Sequence, residues 1–300
     1  MKTIDLFCGV GGLSLGFQKA GFKLLASYDC WEKAIEVYKN NFKHPVDQLD
    51  LSNYKSASTK ISPFLPEIII GGPPCQDFSH AGKRSEGGRA NLTLSFAKIV
   101  SKVRPEWFVM ENVDRAKNSL AYAEAREILK NAGYGLTEKV LDASLCAVPQ
   151  KRKRFFCIGK LNAEDGFMED ILNAGLSKKP MTLRDYFGDE LDIEHYYRHP
   201  RNYSRRGVFS IDESSPTIRG VNRPIPPSYT KHHGDPVGLK NIRPLTSAER
   251  ARVQTFPSDF VWNSSKTDME QMIGNAVPVE LAKYVGKAIK KYIKSNNNSK

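Results

Sequence analysis

Short apolar runs alternate with amphipathic segments through the first half of the chain. The apolar runs, rich in β-branched and aromatic residues, predict strands at 4–7, 23–28, 67–70, 106–110 and 154–158. Apolar positions three or four residues apart predict helices at 13–20, 31–40, 92–103 and 121–131. Strands that alternate with helices are typical of a parallel sheet covered on both faces. The pattern therefore predicts an α/β fold.

The pattern changes between residues 181 and 265, where helical periodicity is absent and Arg, Pro, Ser, Tyr and His are frequent. We expect a smaller, irregular or β-rich unit there. Helical spacing returns near the C-terminus, at Leu281, Val285, Ala288 and Tyr292. This last helix is expected to pack back on the first unit. The chain is thus divided into a larger domain of residues 1–180 with 266–300, and a smaller domain of residues 181–265.

A thiol follows a turn motif at the end of a predicted strand. The apolar run at 68–70 leads into Gly-Gly-Pro-Pro and then Cys75. Glycines permit a sharp turn and the two prolines stiffen the chain after it. In open α/β sheets, ligands bind at this carboxyl edge. We interpret Cys75 as a nucleophile; the alternative is a buried structural cysteine.

A glycine-rich turn lies near the N-terminus, between a predicted strand and a predicted helix. Strand, glycine-rich turn and helix in this order are common in sites for nucleotide-type cofactors. The dinucleotide fingerprint would need a third glycine at the position of Ser14, which disfavours a nicotinamide dehydrogenase. Asp29 ends the next predicted strand and suits hydrogen bonding to ribose hydroxyls.

Composition adds a partner and a compartment to this picture. The chain has 300 residues and a net charge of +12, which favours a polyanionic partner over a merely soluble basic protein. Its five cysteines show neither metal nor disulfide spacing, so we expect no bound metal and free thiols in a reducing compartment. Since no leader-like segment and no apolar run of about 20 residues occurs, we expect a cytoplasmic protein without membrane contact.

Six sequence blocks together resemble the DNA (cytosine-5)-methyltransferase family of bacterial restriction-modification type. They follow the family's order and span nearly the whole chain: DLFCGVGGL at 5–13, GGPPCQDFS at 71–79, ENV at 111–113, QKRKR at 150–154, the RPLT to FP segment at 243–257, and GNAVP at 274–278. The resemblance implies a Rossmann-like sheet that binds S-adenosylmethionine, with 181–265 as a target-recognition domain. It also implies methylation of carbon 5 of a cytosine flipped out of duplex DNA.

The resemblance implies a catalytic role for four residues. Cys75 would add to carbon 6 of cytosine and so make carbon 5 nucleophilic. Glu111, after the predicted strand 106–110, would hold N3 of the ring; a solvated surface charge is the alternative for a lone Glu. Arg152 and Arg154 share one face of a strand entry, which the resemblance directs at the cytosine ring and at Glu111. Positive charge there would also favour the thiolate.

The methyl donor implied by the resemblance is S-adenosylmethionine. Asp29 would bind its ribose, Cys30 would lie beside the adenine, and Asp50 would be the acid on the adenine side, although Asp47 lies close by in the sequence. The complete set of donor-binding residues implied is Phe7, Gly9, Gly11, Gly12, Leu13, Asp29, Cys30, Asp50, Leu51, Pro73, Leu92, Asn275, Ala276 and Val277.

The target-recognition domain carries Thr217-Ile218, which matches the short signature of the family. The residues expected to contact DNA are Gln76, Ser79, Lys83, Arg84, Arg89, Arg201, Arg205, Arg206, Thr217, Arg219 and Arg223. The glycine-rich, basic loop between Cys75 and Leu92 is expected to close over a flipped base. It departs from the family pattern at Ala90 and Thr93, where the lid hinge or donor pocket is expected to differ in detail.

Because the recognition domain is short, we expect a short, palindromic DNA site, read by a monomer, with a restriction endonuclease as a separate partner. Two other functions fit parts of the sequence. The first is the tRNA-methylating branch of the same family, which the basic recognition domain disfavours. The second is a catalytically silent DNA-binding regulator, which the intact Cys75, Glu111, Arg152 and Arg154 disfavour.

Overall fold

A seven-stranded mixed sheet forms the centre of the molecule. The structure is a computed structural model that describes residues 1–74, 92–202 and 204–297. The strands of this sheet are β1 (Lys2–Leu6), β2 (Lys23–Asp29), β3 (Val46–Gln48), β4 (Ile68–Gly71), β5 (Trp107–Val113), β6 (Tyr134–Asp142) and β8 (Lys153–Leu161). A two-residue strand, β7 (Gln150–Lys151), lies outside it.

The strand order is β3-β2-β1-β4-β5-β8-β6. The first five of these strands are parallel, as predicted, but β8 runs antiparallel to both β5 and β6. The expectation of a wholly parallel sheet was therefore wrong. The physical reason is the connection 143–152, which holds one 3-10 turn (Ala143–Leu145) and no crossover helix. A parallel return needs such a crossover, whereas an antiparallel return does not.

Ten helices accompany the strands in the described part of the chain. They are α1 (Gly12–Lys19), α2 (Glu32–Asn41), α3 (Tyr54–Ile61), α4 (Leu92–Val103), α5 (Leu120–Asn131), α6 (Glu169–Ala174), α7 (Leu183–Phe187), α8 (Ser247–Val253), α9 (Lys266–Asn275) and α10 (Val279–Asn297). The helix predicted at 92–103 is confirmed at both ends. The helices predicted at 13–20 and 31–40 are shifted by one residue at both ends, and the helix predicted at 121–131 begins one residue earlier. The α/β class is confirmed.

The hydrophobic core lies on both faces of the sheet because alternate strand residues point to opposite sides. Ile68 and Ile70 pack with α1 and α10 on one face, and Ile69 packs with α3, α4 and α5 on the other. Leu281 and Val285 of α10 are fully buried, which confirms that the C-terminal helix packs on the sheet. This packing fixes the carboxyl ends of β1, β2, β4 and β5 along one edge.

Residues 181–265 contain little regular structure, as expected, and also two short helices that were not predicted. Strands β9 (His195–Tyr197) and β10 (Val208–Ser210) form an antiparallel pair, and β11 (Ser215–Pro216) pairs with β7. Helices α7 and α8 each begin with a capping box, Thr182 with Asp185 and Thr246 with Glu249. They are too short to show a periodic pattern, which is why the sequence did not predict them.

Candidate active site

The main chain that leads into Cys75 runs beside Glu111. Gly71 at the end of β4 pairs with Met110 of β5, so residues 72–74 leave the sheet next to Glu111. A side chain at Gly72 would place its Cβ 3.1 Å from Glu111 Oε2. The carbonyl of buried Pro73 accepts a hydrogen bond of 3.0 Å from Asn112 Nδ2, which fixes this segment. Cys75 itself follows Pro74 in the sequence and lies outside the described residues.

Glu111 forms a buried ion pair with Arg154. Strand β5 continues to Val113, beyond the predicted end at 110, and pairs Val113 with Arg154 on β8. Arg154 Nε lies 3.0 Å from Glu111 Oε1, and the Glu111 residue is only 7% exposed. Burial raises the pKa of the Glu111 carboxyl, while the charges of Arg154 and then Arg152 oppose that rise. The carboxyl is thereby suited to holding or sharing a proton.

Arg152 occupies a different environment from Arg154. It is 2% exposed, and its guanidinium donates to the carbonyls of Ile218 (3.0 Å), Gly274 (2.9 Å) and Ala276 (3.1 Å). Within the described chain its Nε has no hydrogen-bond partner. Its positive charge still acts on Glu111. Both charges therefore act on Glu111, as the predicted shared face implied. Only Arg154 contacts Glu111 directly, whereas Arg152 donates hydrogen bonds to three backbone carbonyls.

Two buried glutamines, which we call the amide junction, lie next to Arg152. Gln150 accepts a hydrogen bond from the Ile218 N–H (2.8 Å) and donates one to Gln254 Oε1 (2.7 Å). Gln254 donates in turn to the carbonyls of Ile273 (2.6 Å) and Ala276 (3.2 Å). Sequence analysis missed this role, although both residues lie inside the quoted blocks. The junction joins the segment after β11 to the end of α9.

The glycine-rich turn at residues 7–13 follows β1 and leads into α1. We call it the donor turn. Phe7 has a φ of 58°, so β1 ends at Leu6, one residue before the predicted end, and it begins at Lys2, two residues before the predicted start. Gly9 also has a left-handed φ, of 52°, and donates its N–H to Asp29 Oδ2 at 2.7 Å. No heavy atom lies within 4 Å of the position that a Gly9 Cβ would take. The donor turn therefore has free space for a ligand beside Gly9.

Block 274–278 packs directly against the donor turn. A Cβ at Gly12 would overlap the carbonyl oxygen of Val277, so the close approach requires glycine. Val277 is buried, Ala276 is half-buried and Asn275 is exposed. The structure thus brings the two ends of the proposed donor site together, although they are far apart in the sequence.

The acidic residues implied for the nucleoside flank Cys30. Asp29 Oδ1 accepts from the Trp31 N–H (2.8 Å), and the exposed Asp50 accepts from the Ser52 N–H (2.9 Å). Burial raises the pKa of the Cys30 thiol, and both carboxylates add to that rise, which places them near it. Asp47 instead pairs with Lys60 at 2.9 Å.

These groups fit the proposed donor chemically. Leu51 is buried, Phe7 is partly exposed, and Leu92 is half-buried at the start of α4. Carboxylates beside apolar side chains match ribose hydroxyls beside an adenine ring.

Among residues 1–74, 92–202 and 204–297, no group of three His, Cys, Asp or Glu could hold a metal ion. No helix in those residues is long and apolar enough to span a membrane.

The residues expected to contact DNA separate into three groups. Gln76, Ser79, Lys83, Arg84, Arg89 and the proposed lid lie outside the described residues. Arg206 pairs with Glu213 at 2.5 Å and stacks on Phe209, and the Thr217 hydroxyl donates to the Lys151 carbonyl at 2.8 Å. The remaining arginines, Arg201, Arg205, Arg219 and Arg223, form one positive cluster together with Arg198, and we call these five residues the arginine cluster.

Sequence analysis missed Arg198 in this cluster. Burial and, after it, the charge of Arg219 lower its pKa to about 10. Arg201, Arg205 and Arg223 are exposed, whereas Arg219 is half-buried. Arg250 holds the backbone beneath, because it donates to the Arg219 carbonyl and forms a buried ion pair with Glu270. Like charges held together in this way favour an anionic partner.

Comparisons with known proteins agree with this geometry. The model of the family described as C-5 cytosine-specific DNA methylase matches residues 1–291. The chain is 59% identical to the Type II methyltransferase M.HindV of Haemophilus influenzae over 292 residues, which cover 96% of each chain. It is 53% identical to the Type II methyltransferase M.HgiDI of Herpetosiphon aurantiacus, covering 98% of this chain and 95% of that one.

Solved structures with a similar fold share less of the sequence. S. pombe Dnmt2 methyltransferase superposes with a TM-score of 0.70 at 21% identity, covering 99% of both chains. A putative DNA modification methyltransferase encoded within an E. coli prophage superposes with a TM-score of 0.71 at 22% identity, covering 98% of this chain and 99% of that one. The family match and the fold together confirm the resemblance read from the sequence blocks. The chain belongs to the C-5 cytosine-specific DNA methylase family and is a DNA cytosine-5-methyltransferase.

Proposed function

We propose that this enzyme methylates a cytosine flipped out of duplex DNA through a covalent adduct with Cys75. One observation carries the proposal: the segment that leads into Cys75 passes the buried Glu111–Arg154 pair at the carboxyl edge of the sheet. A nucleophile, a proton-holding acid and a cation are the groups that this addition needs.

The first step forms a bond between the Cys75 sulfur and carbon 6 of the ring. A free thiol has a pKa near ~8.5, so positive charge from Arg152 and Arg154 favours the thiolate. Addition breaks the 5,6 double bond and moves its electron pair toward carbon 5, N3 and O2. Glu111 shares its proton with N3, and Arg154 holds Glu111 in place at 3.0 Å.

The second stage uses the donor site. The family uses S-adenosylmethionine. When bound, it would supply an electrophilic methyl carbon to carbon 5, with the methyl–sulfur bond breaking as the new bond forms and the neutral thioether leaving. We assign its binding to the donor turn, to Asp29, Cys30, Asp50 and Leu51, and to Pro73, Leu92 and residues 275–277. The proton on carbon 5 then leaves to water, the bond from sulfur to carbon 6 breaks, and the 5,6 double bond returns. Cys75 is released as thiolate.

DNA binding is assigned to the arginine cluster and to residues 181–265, as a domain distinct from 1–180 with 266–300. Arginine pairs with guanine or phosphate, and a stacked target base must leave the duplex to be reached. The Type II relatives support a protective role in a restriction-modification system, with a separate endonuclease as partner. The enzyme acts as a monomer in this proposal, in the cytoplasm.

A duplex that carries 5-fluorocytosine tests the covalent step. Fluorine at carbon 5 cannot leave as a proton does, so the adduct persists after methyl transfer. We expect the native enzyme with S-adenosylmethionine to form a complex that survives denaturation, and Cys75→Ser to form none. Cys146→Ala, which removes a buried thiol of the core, should still form it. A denaturation-resistant complex with Cys75→Ser would contradict the assignment.

A further inference from the structure

Beside the donor turn, the hydroxyl groups of Ser14, Tyr38 and Ser27 form a hydrogen-bonded chain between the buried Asp5 and the half-buried His44, and we call these five residues the hydroxyl chain. Ser14 Oγ donates to Asp5 Oδ2 at 2.6 Å, and Tyr38 Oη donates to Ser14 Oγ at 2.7 Å. The Tyr38 hydroxyl also lies 2.7 Å from Ser27 Oγ and 2.7 Å from His44 Nε2. Asp5, Ser14, Ser27 and Tyr38 are all fully buried.

The hydroxyl chain contacts the donor turn at two places, through Ser14 and through Tyr38. Ser14 lies in the first turn of α1, two residues after Gly12, so its hydroxyl ties the helix start to Asp5 on β1. The Tyr38 ring stacks on Phe42 with centroids 4.1 Å apart, and a Cβ at Gly11 would overlap both rings. Gly11 supplies no side-chain cap to α1. Ser14 and Tyr38 therefore fix the position of the donor turn.

Asp5 is held in an environment that disfavours its charge. Within the described residues, its Oδ1 has no hydrogen-bond partner. Burial raises the pKa of Asp5 to about 8; the Ser14 hydroxyl opposes that rise and the charge of Asp29 adds to it. Burial also lowers the pKa of His44 to about 4, so the far end of the chain is neutral as well. The other titratable groups facing Asp5 are the buried Cys8 and Tyr38, both uncharged at neutral pH.

We propose that Asp5 is a positioning residue of the donor site, which acts through Ser14 and Tyr38 on the donor turn. The inference rests on the proposed donor role of that turn. Asp29 accepts a hydrogen bond from the Gly9 N–H of the same turn. An ionised Asp5 would therefore place a second negative charge near that of Asp29. Loss of the hydroxyl link or ionisation of Asp5 is expected to loosen donor binding without changing DNA binding.

The test measures the Kd of S-adenosylhomocysteine, a probe without the sulfonium charge, and separately the Kd of duplex DNA. Tyr38→Phe keeps the ring under Gly11 but removes its hydroxyl, and should weaken probe binding about tenfold, the effect of one buried hydrogen bond. Tyr134→Phe removes a matched buried hydroxyl that donates to the Pro105 carbonyl at 2.6 Å, far from the turn in the fold. This control should leave the probe Kd unchanged, and neither variant should change the DNA Kd.

Asp5→Asn supplies the second readout, because it imitates the uncharged carboxyl. At pH 7 its probe Kd should stay within about twofold of the native value, and between pH 7 and pH 9 the native protein should lose affinity relative to it. Equal pH profiles, or equal effects of Tyr38→Phe and Tyr134→Phe, would overturn the inference. A native protein that binds no probe at all would overturn the donor role of the turn as well, so the two failures are distinguishable.

Discussion

At the scale of single residues, the proposed mechanism depends on the carboxyl of Glu111, which is buried and paired with Arg154. Burial pushes Glu111 toward its protonated form, and Arg154 and Arg152 pull it back. A carboxyl balanced in this way can pass a proton to a ring nitrogen and take it back within one turnover. The antiparallel course of β8 creates the balance, because it sets Arg154 across from the end of β5.

Glu111→Gln should slow single-turnover methylation by about 100-fold, the effect expected for loss of a general acid. The reason is that an amide cannot supply the proton that N3 of the cytosine takes up. Binding of DNA and donor should change little. Glu138→Gln is a matched control, because Glu138 also pairs with an arginine Nε at 3.0 Å, that of Arg126 on α5. Rapid-quench measurement with labelled donor gives both rates; an unchanged Glu111→Gln rate would remove Glu111 from the mechanism.

At the scale of elements, the donor turn and block 274–278 form one contact surface through Gly12. The sequence predicted α4 at its observed bounds because its apolar stripe is regular. It did not predict β6, whose buried positions crowd into its first half and therefore do not alternate. The direction of β8 was also beyond local pattern, because strand pairing depends on the connection and on the partner. Short helices α7 and α8 were signalled by capping boxes alone.

Gly12→Ala should weaken donor binding and destabilise the fold by about 1–3 kcal/mol, because the new methyl group overlaps the Val277 carbonyl and forces α1 from α10. Gly238→Ala is the control, since its Cβ would meet no atom within 4 Å. Urea unfolding and calorimetry with the donor measure the two effects. Equal stability and donor affinity for both variants would show that the contact is not close.

At the scale of the whole molecule, Arg152 and the amide junction connect residues 181–265, the proposed recognition region, to the central sheet. Both reach the backbone at Ile218 and at Ala276, one segment beside the arginine cluster and the other beside the donor turn. The blocks that hold Gln150, Arg152 and Gln254 were visible in the sequence. The hydrogen bond between Gln150 and Gln254 was not visible, because partners separated by 104 positions carry no local signal.

Gln150→Glu should destabilise the protein by about 1–3 kcal/mol, because a carboxylate cannot donate to Gln254 Oε1 and two buried oxygens then face each other. DNA affinity should fall with stability, since Ile218 anchors the recognition region. Gln18→Glu, at an exposed position on α1, makes the same chemical change without a buried partner. Urea unfolding and DNA titration of both variants check this. Identical behaviour would mean that the junction does not couple the two regions.

The most direct test of the whole account is methyl transfer itself. The protein is incubated with labelled S-adenosylmethionine and either duplex DNA or tRNA, and the product bases are separated. The account predicts label in 5-methylcytosine from duplex DNA, and none when Cys75→Ser replaces the native protein. Label in tRNA alone, or in neither nucleic acid, would contradict it.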